Sequence, residues 1–292
     1  MKTLARRCGM VLFGLALLVP AGWADAQLPP GMKPFEVTKV ADNVYTFRAF
    51  FHRTMFVVTQ DGVIVGDPLS VKAAQMMNAE IKKITDKPVK FVIYSHSHWD
   101  HATGAKVFKD QGALIISQAK CAAHFEKRPN PNVPPPDETF NSRFNLKLGG
   151  ETVRLLYFGP SHSDCLTFML LPRHKLLFLV DLAGPPRLPW RVMSDVDPAA
   201  SIHVLKQLEA LEGFERIIPG HGPPTLPRSV ITQHREYLED LMAAVKEAVQ
   251  KGWPYDKARA EIKLPKYEKW GLYKKFLPMN IERAYEYFRR GI

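Results

Sequence analysis

The chain has 292 residues, with 40 Lys plus Arg against 29 Asp plus Glu, and a formal net charge of +11. Such a surplus suits nucleic acid, anionic surfaces or anionic substrates. No dense Lys/Arg run with interleaved aromatics stands near the histidine-rich segment described below, and the features of an exported chain oppose a nucleic-acid partner. A dispersed, solvated basic surface is expected.

Lys2, Arg6 and Arg7 precede the apolar run 11–19, and Ala24-Asp25-Ala26 offers a small-x-small cleavage pattern. Residues 1–26 are expected to be a signal peptide, with a mature start at Gln27 in a bacterial periplasm or beyond. The run is too short to span a bilayer comfortably, so no stable membrane insertion is expected after cleavage. Cys8 precedes the run and is not placed for lipid attachment. Cleavage removes three cations and one anion and leaves a net charge of about +9 on about 266 residues. That length allows one large α/β domain over 27–227 with an appended helical piece over 228–292. Cys121 and Cys165 remain, as one disulfide or as two lone thiols.

Val44–Arg48 and Met55–Thr59 are expected as strands joined by a loop over 49–54. A turn at Gln60-Asp61-Gly62 then leads into a buried strand over 63–67. Ala, Met and Ile at helical spacing predict a helix over 71–84. A strand over 89–95, a short helix over 105–109 and a strand over 113–117 follow. The proline-rich stretch 129–136 must be loop. Strands are expected over 152–158, 166–171, 176–180 and 216–219, with Asp197 capping a helix that runs to about Leu211. Hairpins first, then strands alternating with helices, imply sheets inside and helices outside. From Arg228 a long amphipathic helix runs to Lys251. The tail beyond it carries Trp270, Tyr273, Phe276, Tyr285, Tyr287 and Phe288. It either packs on the main domain or forms a lid or homodimer contact.

The chemistry concentrates at the end of strand 89–95, in His96-Ser97-His98-Trp99-Asp100-His101. Three imidazoles and a carboxylate in six positions are poor material for a core and good ligands for a metal. His96 and His98, two apart, can turn to one ion if the segment stays extended. Asp100 and His101 can face a second. Three more donors stand at strand ends: His162 in Gly159-Pro160-Ser161-His162, Asp181 after the run 176–180, and His221 in Gly220-His221-Gly222. A carboxylate closing so apolar a strand as the one before Asp181 needs a partner. Seven donors suffice for two ions.

This order of motifs, H-x-H-x-D-H, a lone His, an Asp and a final Gly-His-Gly, resembles the metallo-β-lactamase superfamily over roughly residues 40–225. The resemblance implies a four-layer αβ/βα sandwich with a dinuclear site between its halves. It implies that His96, His98 and His162 hold one ion, that Asp100, His101 and His221 hold the other, and that Asp181 bridges them. Asp67 matches a position that supports the metal loop from behind. Two zinc ions are expected, with Mn or Fe compatible with the same donors. The implied reaction is attack by metal-activated hydroxide on a small ester, thioester, lactone or lactam, with Asp100 orienting the nucleophile.

Asp181 stands where dinuclear β-lactamases usually carry Cys or Ser, and the Tyr that lactonases carry shortly after the bridging Asp is absent. A β-lactamase proper, a mononuclear-iron dioxygenase and a non-catalytic metal-bound carrier are the alternatives. Cys165 is read as a small strand residue rather than a nucleophile. His124, His174, His203 and His234 are expected in solvated or structural roles. The segment carrying Phe50, Phe51, His52 and Arg53 matches a flap beside the family's cleft. Arg187 and Arg191 could attract an anionic group.

Overall fold

The structure, a computed structural model, describes residues 33–291. The expected signal peptide lies outside the described residues.

Two sheets form in succession along the chain. The first contains β1 (Phe35–Lys39), β2 (Val44–Ala49), β3 (His52–Val58), β4 (Val63–Val65), β5 (Val89–Ile93), β6 (Leu114–Gln118) and β7 (Glu138–Phe140), side by side in that order. From β1 to β4 the pairings are antiparallel, and from β4 to β7 they are parallel. Parallel neighbours need crossovers. Helices α1 (Val71–Ile84), α2 (Trp99–Ala102), α3 (Ala105–Lys109) and α4 (Ala119–Lys127) lie in these connections. The second sheet runs from β8 (Arg143–Leu148) through β9 (Glu151–Leu156), β10 (Phe168–Leu171), β11 (Leu176–Leu179) and β12 (Arg216–Pro219) to β13 (Leu226–Pro227). Its one parallel pair is β11 with β12, bridged by α5 (Pro198–Ala210).

Alternation along the strands explains how the first sheet is buried on both faces. Met55, Val57, Ile64, Ile93 and Ile116 join the core shared with the second sheet. Phe56, Val63, Val65, Val92 and Ile115 point the other way, onto Ala73, Ala74, Met77, Phe108 and Phe125 of the helices. Period-two side chains on a strand make this split automatic. Each fully buried Val, Leu, Ile, Phe or Met contributes about 1.5–3 kcal/mol. Ser70 starts α1, its side chain accepting from the Ala73 amide, and Asp197 does the same for α5 through the Ala200 amide. The expected cap at Asp197 is therefore present.

Beyond the second sheet come α6 (Val230–Gln250), α7 (Tyr255–Glu261) and α8 (Tyr273–Arg290). Ile231, Tyr237, Leu241, Val245 and Phe276 are buried in the same core as β10 to β12. The aromatic tail thus packs on the main body. Tyr237 donates to Asn280 Oδ1 at 2.7 Å, joining α6 to α8 in the interior.

Two expectations need correction. The loop over 49–54 is strand except at its tip: Ala49 pairs with His52 and Arg48 with Arg53. Charged residues disguised the alternation. Arg53 is buried, donating to Thr46 Oγ1 at 2.8 Å and to the Gly222 carbonyl at 2.9 Å. Cys165 lies in a turn ahead of β10 rather than in a strand, and it is disulfide-bonded to Cys121 across a Cα–Cα distance of 5.4 Å. Of the two roles expected for His174 the structure shows the structural one, its ring buried 3.1 Å from Glu151 Oε2. Strands β1, β7 and β8 had no counterpart in the sequence reading, because their outward residues are mostly polar and their apolar ones few.

Candidate metal centre

The candidate donors lie in the segments that follow strands, Asp100 and His101 on the short helix α2 after β5, where α/β sheets leave a crevice. β5 leads through Tyr94 and Ser95 into His96, and β11 leads into Asp181. β12 delivers His221, and the turn between β9 and β10 carries His162. Asp181 has a left-handed backbone, φ 61°, which an Asp tolerates better than most residues. Gly220 is required by close approach. A Cβ there would stand 2.7 Å from Val180 Cγ1 and 2.9 Å from Asp181 Oδ1.

The structure brings the seven donors into two groups that share Asp181. His96, His98, His162 and Asp181 form one; Asp100, His101, Asp181 and His221 form the other. Within each group one ligand atom per residue lies within 4.8 Å of all the others. Asp181 Oδ2 is 3.8 Å from His96 Nε2, 3.5 Å from His162 Nε2 and 3.4 Å from His101 Nε2. Its Oδ1 is 3.1 Å from His221 Nε2. Asp100 Oδ2 is 3.6 Å from His101 Nε2.

The outward nitrogens of the rings are held from behind, which fixes tautomer and orientation. His101 Nδ1 meets Asp67 Oδ2 at 3.0 Å, and His96 Nδ1 meets Ser95 Oγ at 2.8 Å. Ser95 in turn donates its amide and hydroxyl to Asp67, each at 2.7 Å. His221 Nδ1 donates to the Phe51 carbonyl at 2.8 Å. The inward nitrogens behave differently. His96 Nε2 and His101 Nε2 are buried without any hydrogen-bond partner. Orphaned buried polar atoms are rare in folded proteins. Here they converge on one space, and the donor set of imidazole and carboxylate fits divalent metal ions.

The electrostatics of the cluster follow from burial and neighbours. Burial, reinforced by His98 and His101, pushes His96 well below the usual imidazole range. Burial also lowers His162. Burial resists the charge on His101, yet Asp181 and Asp67 overcome it and hold that ring well above the usual range. Burial opposes ionisation of Asp181, and His101 with His221 still holds it far down as a carboxylate. Asp100 is lowered too, burial being outweighed by His52 and His101.

Two neighbours had weak or no sequence signals. His52, the first residue of β3 and not a loop residue, places Nε2 3.3 Å from Asp100 Oδ2, with its ring 4.9 Å from that of His221. Asp195, in the connection before α5, contacts His98 Nε2 through Oδ2. No spacing rule marks it, because its place is set by distant packing. Arg187 is partly buried; desolvation lowers its pKa against the opposing pull of Asp181. Arg191 is exposed and lies over the Trp190 ring, 5.0 Å from its centroid. Of the two arginines, Arg187 is the one within electrostatic reach of the cluster.

The model of the metallo-β-lactamase superfamily matches residues 48–244. A linear primary-alkylsulfatase of Pseudomonas sp. (strain ATCC 19151) is 24% identical over 255 residues, covering 70% of this chain and 48% of its own length. Among solved structures, a metallo-β-lactamase from Pontibacter korlensis superposes with TM-score 0.62 at 20% identity, covering 70% of this chain and 99% of that one. An inverting sec-alkylsulfatase from Pseudomonas sp. superposes with TM-score 0.73 at 16% identity, covering 87% of this chain and 50% of that one. The chain spans about half the length of the curated alkylsulfatase it matches. The fold, the two donor groups and the family match agree: this chain belongs to the metallo-β-lactamase superfamily.

Proposed function

We propose that this protein is an exported hydrolase using two divalent metal ions, zinc first among them, to cleave a small ester, thioester, lactone or lactam. Its likeness to alkylsulfatases adds sulfate esters to that range. The observation that carries the reading is the pair of donor groups sharing Asp181, with buried His96 Nε2 and His101 Nε2 left without hydrogen-bond partners. A one-ion dioxygenase needs neither Asp100 nor His101 as ligands, so their presence in a second complete group favours two ions.

Bound there, the ions would supply Lewis acidity and an ionised water near neutral pH. The chain's own residues do the rest. Asp181 and the five grouped histidines hold position. Asp100, between His52 and His101, can orient the attacking water and accept a proton, which His52 can relay to solvent. Arg187 would draw an anionic substrate group toward Asp181's end of the site. Exposed Phe51 and Trp99, next in sequence to His52 and His98, suit a substrate with an apolar part. The Cys121–Cys165 disulfide supports an oxidising compartment, consistent with cleavage after Ala26.

The test is elemental analysis of the protein purified from periplasm, paired with turnover of esters, thioesters, lactones, alkyl sulfates and β-lactams before and after chelation. Stoichiometric metal and chelator-sensitive turnover are expected. Trace metal, or turnover indifferent to chelation, overturns the reading. N-terminal sequencing should give Gln27; an intact Met1 in the cytoplasm would contradict export.

A further inference from the structure

We infer that Asp195 is a positioning residue for His98, and that the C-terminal helix α8 holds Asp195 in place. The inference rests on the two-metal reading above, because it concerns which group of donors the residue serves.

His98 uses its two ring nitrogens in opposite directions. Nδ1 faces into the first donor group, 3.1 Å from His162 Nε2, and Nε2 faces outward onto Asp195 Oδ2. Asp195 therefore does for His98 what Asp67, Ser95 and the Phe51 carbonyl do for His101, His96 and His221. A carboxylate behind a ligating imidazole fixes its tautomer and raises its basicity. Asp67 is buried beneath the site, whereas Asp195 comes from the half-exposed connection between β11 and α5. That connection has no helix or strand of its own, and around Asp195 it contains the left-handed non-glycine residues Arg191 (φ 50°) and Met193 (φ 47°), as well as Asp181 at its start. Such conformations persist only where the surroundings impose them.

The surroundings are the C-terminal helices. Arg283 Nε of α8 donates to the carbonyl of Val196, the residue after Asp195, at 2.9 Å. Asn280, fully buried on the same helix, donates to the carbonyls of Pro189 at 3.1 Å and Arg191 at 2.6 Å. Its own oxygen is held by Tyr237 of α6. Just before α8, Gly271 exchanges backbone hydrogen bonds with Pro186 and Leu188 at 2.9 and 3.0 Å. At the other end, the Asp197 amide donates to the Ser161 carbonyl, tying the connection to the turn that bears His162. The segment beyond Gln250 thus reaches the metal centre through one loop and one carboxylate, and the first donor group depends on both.

The experiment counts metal ions retained by zinc-loaded protein titrated with a competing chelator, with the unfolding midpoint of the metal-free protein measured alongside. Asp195→Ala is expected to weaken one of two ions by roughly 10- to 100-fold and leave the other at wild-type affinity, with the metal-free midpoint unchanged. Asp195→Asn, whose amide oxygen still accepts from Nε2–H, should lie nearer wild type. Arg283→Ala should weaken the same single ion. Equal weakening of both ions by Asp195→Ala, or none, overturns the role of Asp195. Wild-type affinity in Arg283→Ala overturns the role of α8. A wild-type protein that binds fewer than two ions would instead refute the two-metal reading itself.

Discussion

At the scale of single residues, the site depends on a few atoms that cannot be moved. Gly220→Ala would drive a Cβ into Val180 and the Asp181 carboxylate, so metal retention should fall while the far-ultraviolet circular dichroism stays native. Asp67→Ala removes the acceptor of His101, the Ser95 amide and the Ser95 hydroxyl together. A loss of roughly 10- to 100-fold in metal affinity is expected from a chelator titration. His234, away from the cluster, offers a pH test. Burial lowers its pKa from 6.5 to about 4, against a bond to the Val230 carbonyl. The unfolded chain then takes up a proton first as pH falls, so folding stability is full above about pH 6.5 and is lost toward pH 4. Between pH 7.5 and 5 this one ring should remove about 2 kcal/mol. His234→Leu should flatten that part of the urea-unfolding profile; an unchanged slope would refute the assignment.

The seven candidate donors were legible as a set because histidines and carboxylates at strand ends have few other uses, and the structure brings all seven together in two groups. Asp195 was not legible, since nothing in Ser194-Asp195-Val196 distinguishes it from any polar loop. His52 was placed beside the cleft by resemblance, but not on a strand: Arg48 and Arg53 made a tight hairpin look like a loop.

At the scale of elements, strands with apolar residues on both faces were readable, and edges were not. β4, β10 and β11 are wholly buried and stand out as apolar runs, and β5 departs from this only at exposed Lys90 and half-buried Phe91. β8, at the rim of its sheet, alternates exposed polar residues with apolar ones of which only Leu146 is buried, and its sequence resembles a loop. The hairpin of β2 and β3 joins the layers to the site: the Arg53 amide donates to the Gly220 carbonyl at 2.7 Å, and the Arg53 side chain holds the Gly222 carbonyl. The disulfide adds a second tie, fastening α4 to the turn before β10. Closing a loop with a sequence separation of 44 is worth on the order of 4 kcal/mol on the chain-entropy account. Cys121→Ala with Cys165→Ala should therefore lower the unfolding midpoint, and reductant should do the same to the wild type. Stability indifferent to both would show that the two thiols are not bonded in solution.

At the scale of the molecule, the C-terminal helices are part of the core and not an accessory. Ile231, Tyr237, Leu241 and Val245 are buried in the core that also holds β10 to β12, so ending the chain at Pro227 would bare a broad apolar surface. Such a truncation should be insoluble or bind hydrophobic dyes strongly; a soluble, monomeric product with native circular dichroism would contradict this. The periodicity of α6 announced the helix, while its partner surface depended on residues scattered from β10 to β12 and was beyond sequence reading. The central claim is the pair of metal sites. Elemental analysis of protein purified without added chelator should find two divalent ions per chain in the wild type and a marked loss in Asp181→Ala, which removes the donor shared by both groups. Two ions retained by Asp181→Ala, or only trace metal in the wild type, would contradict it.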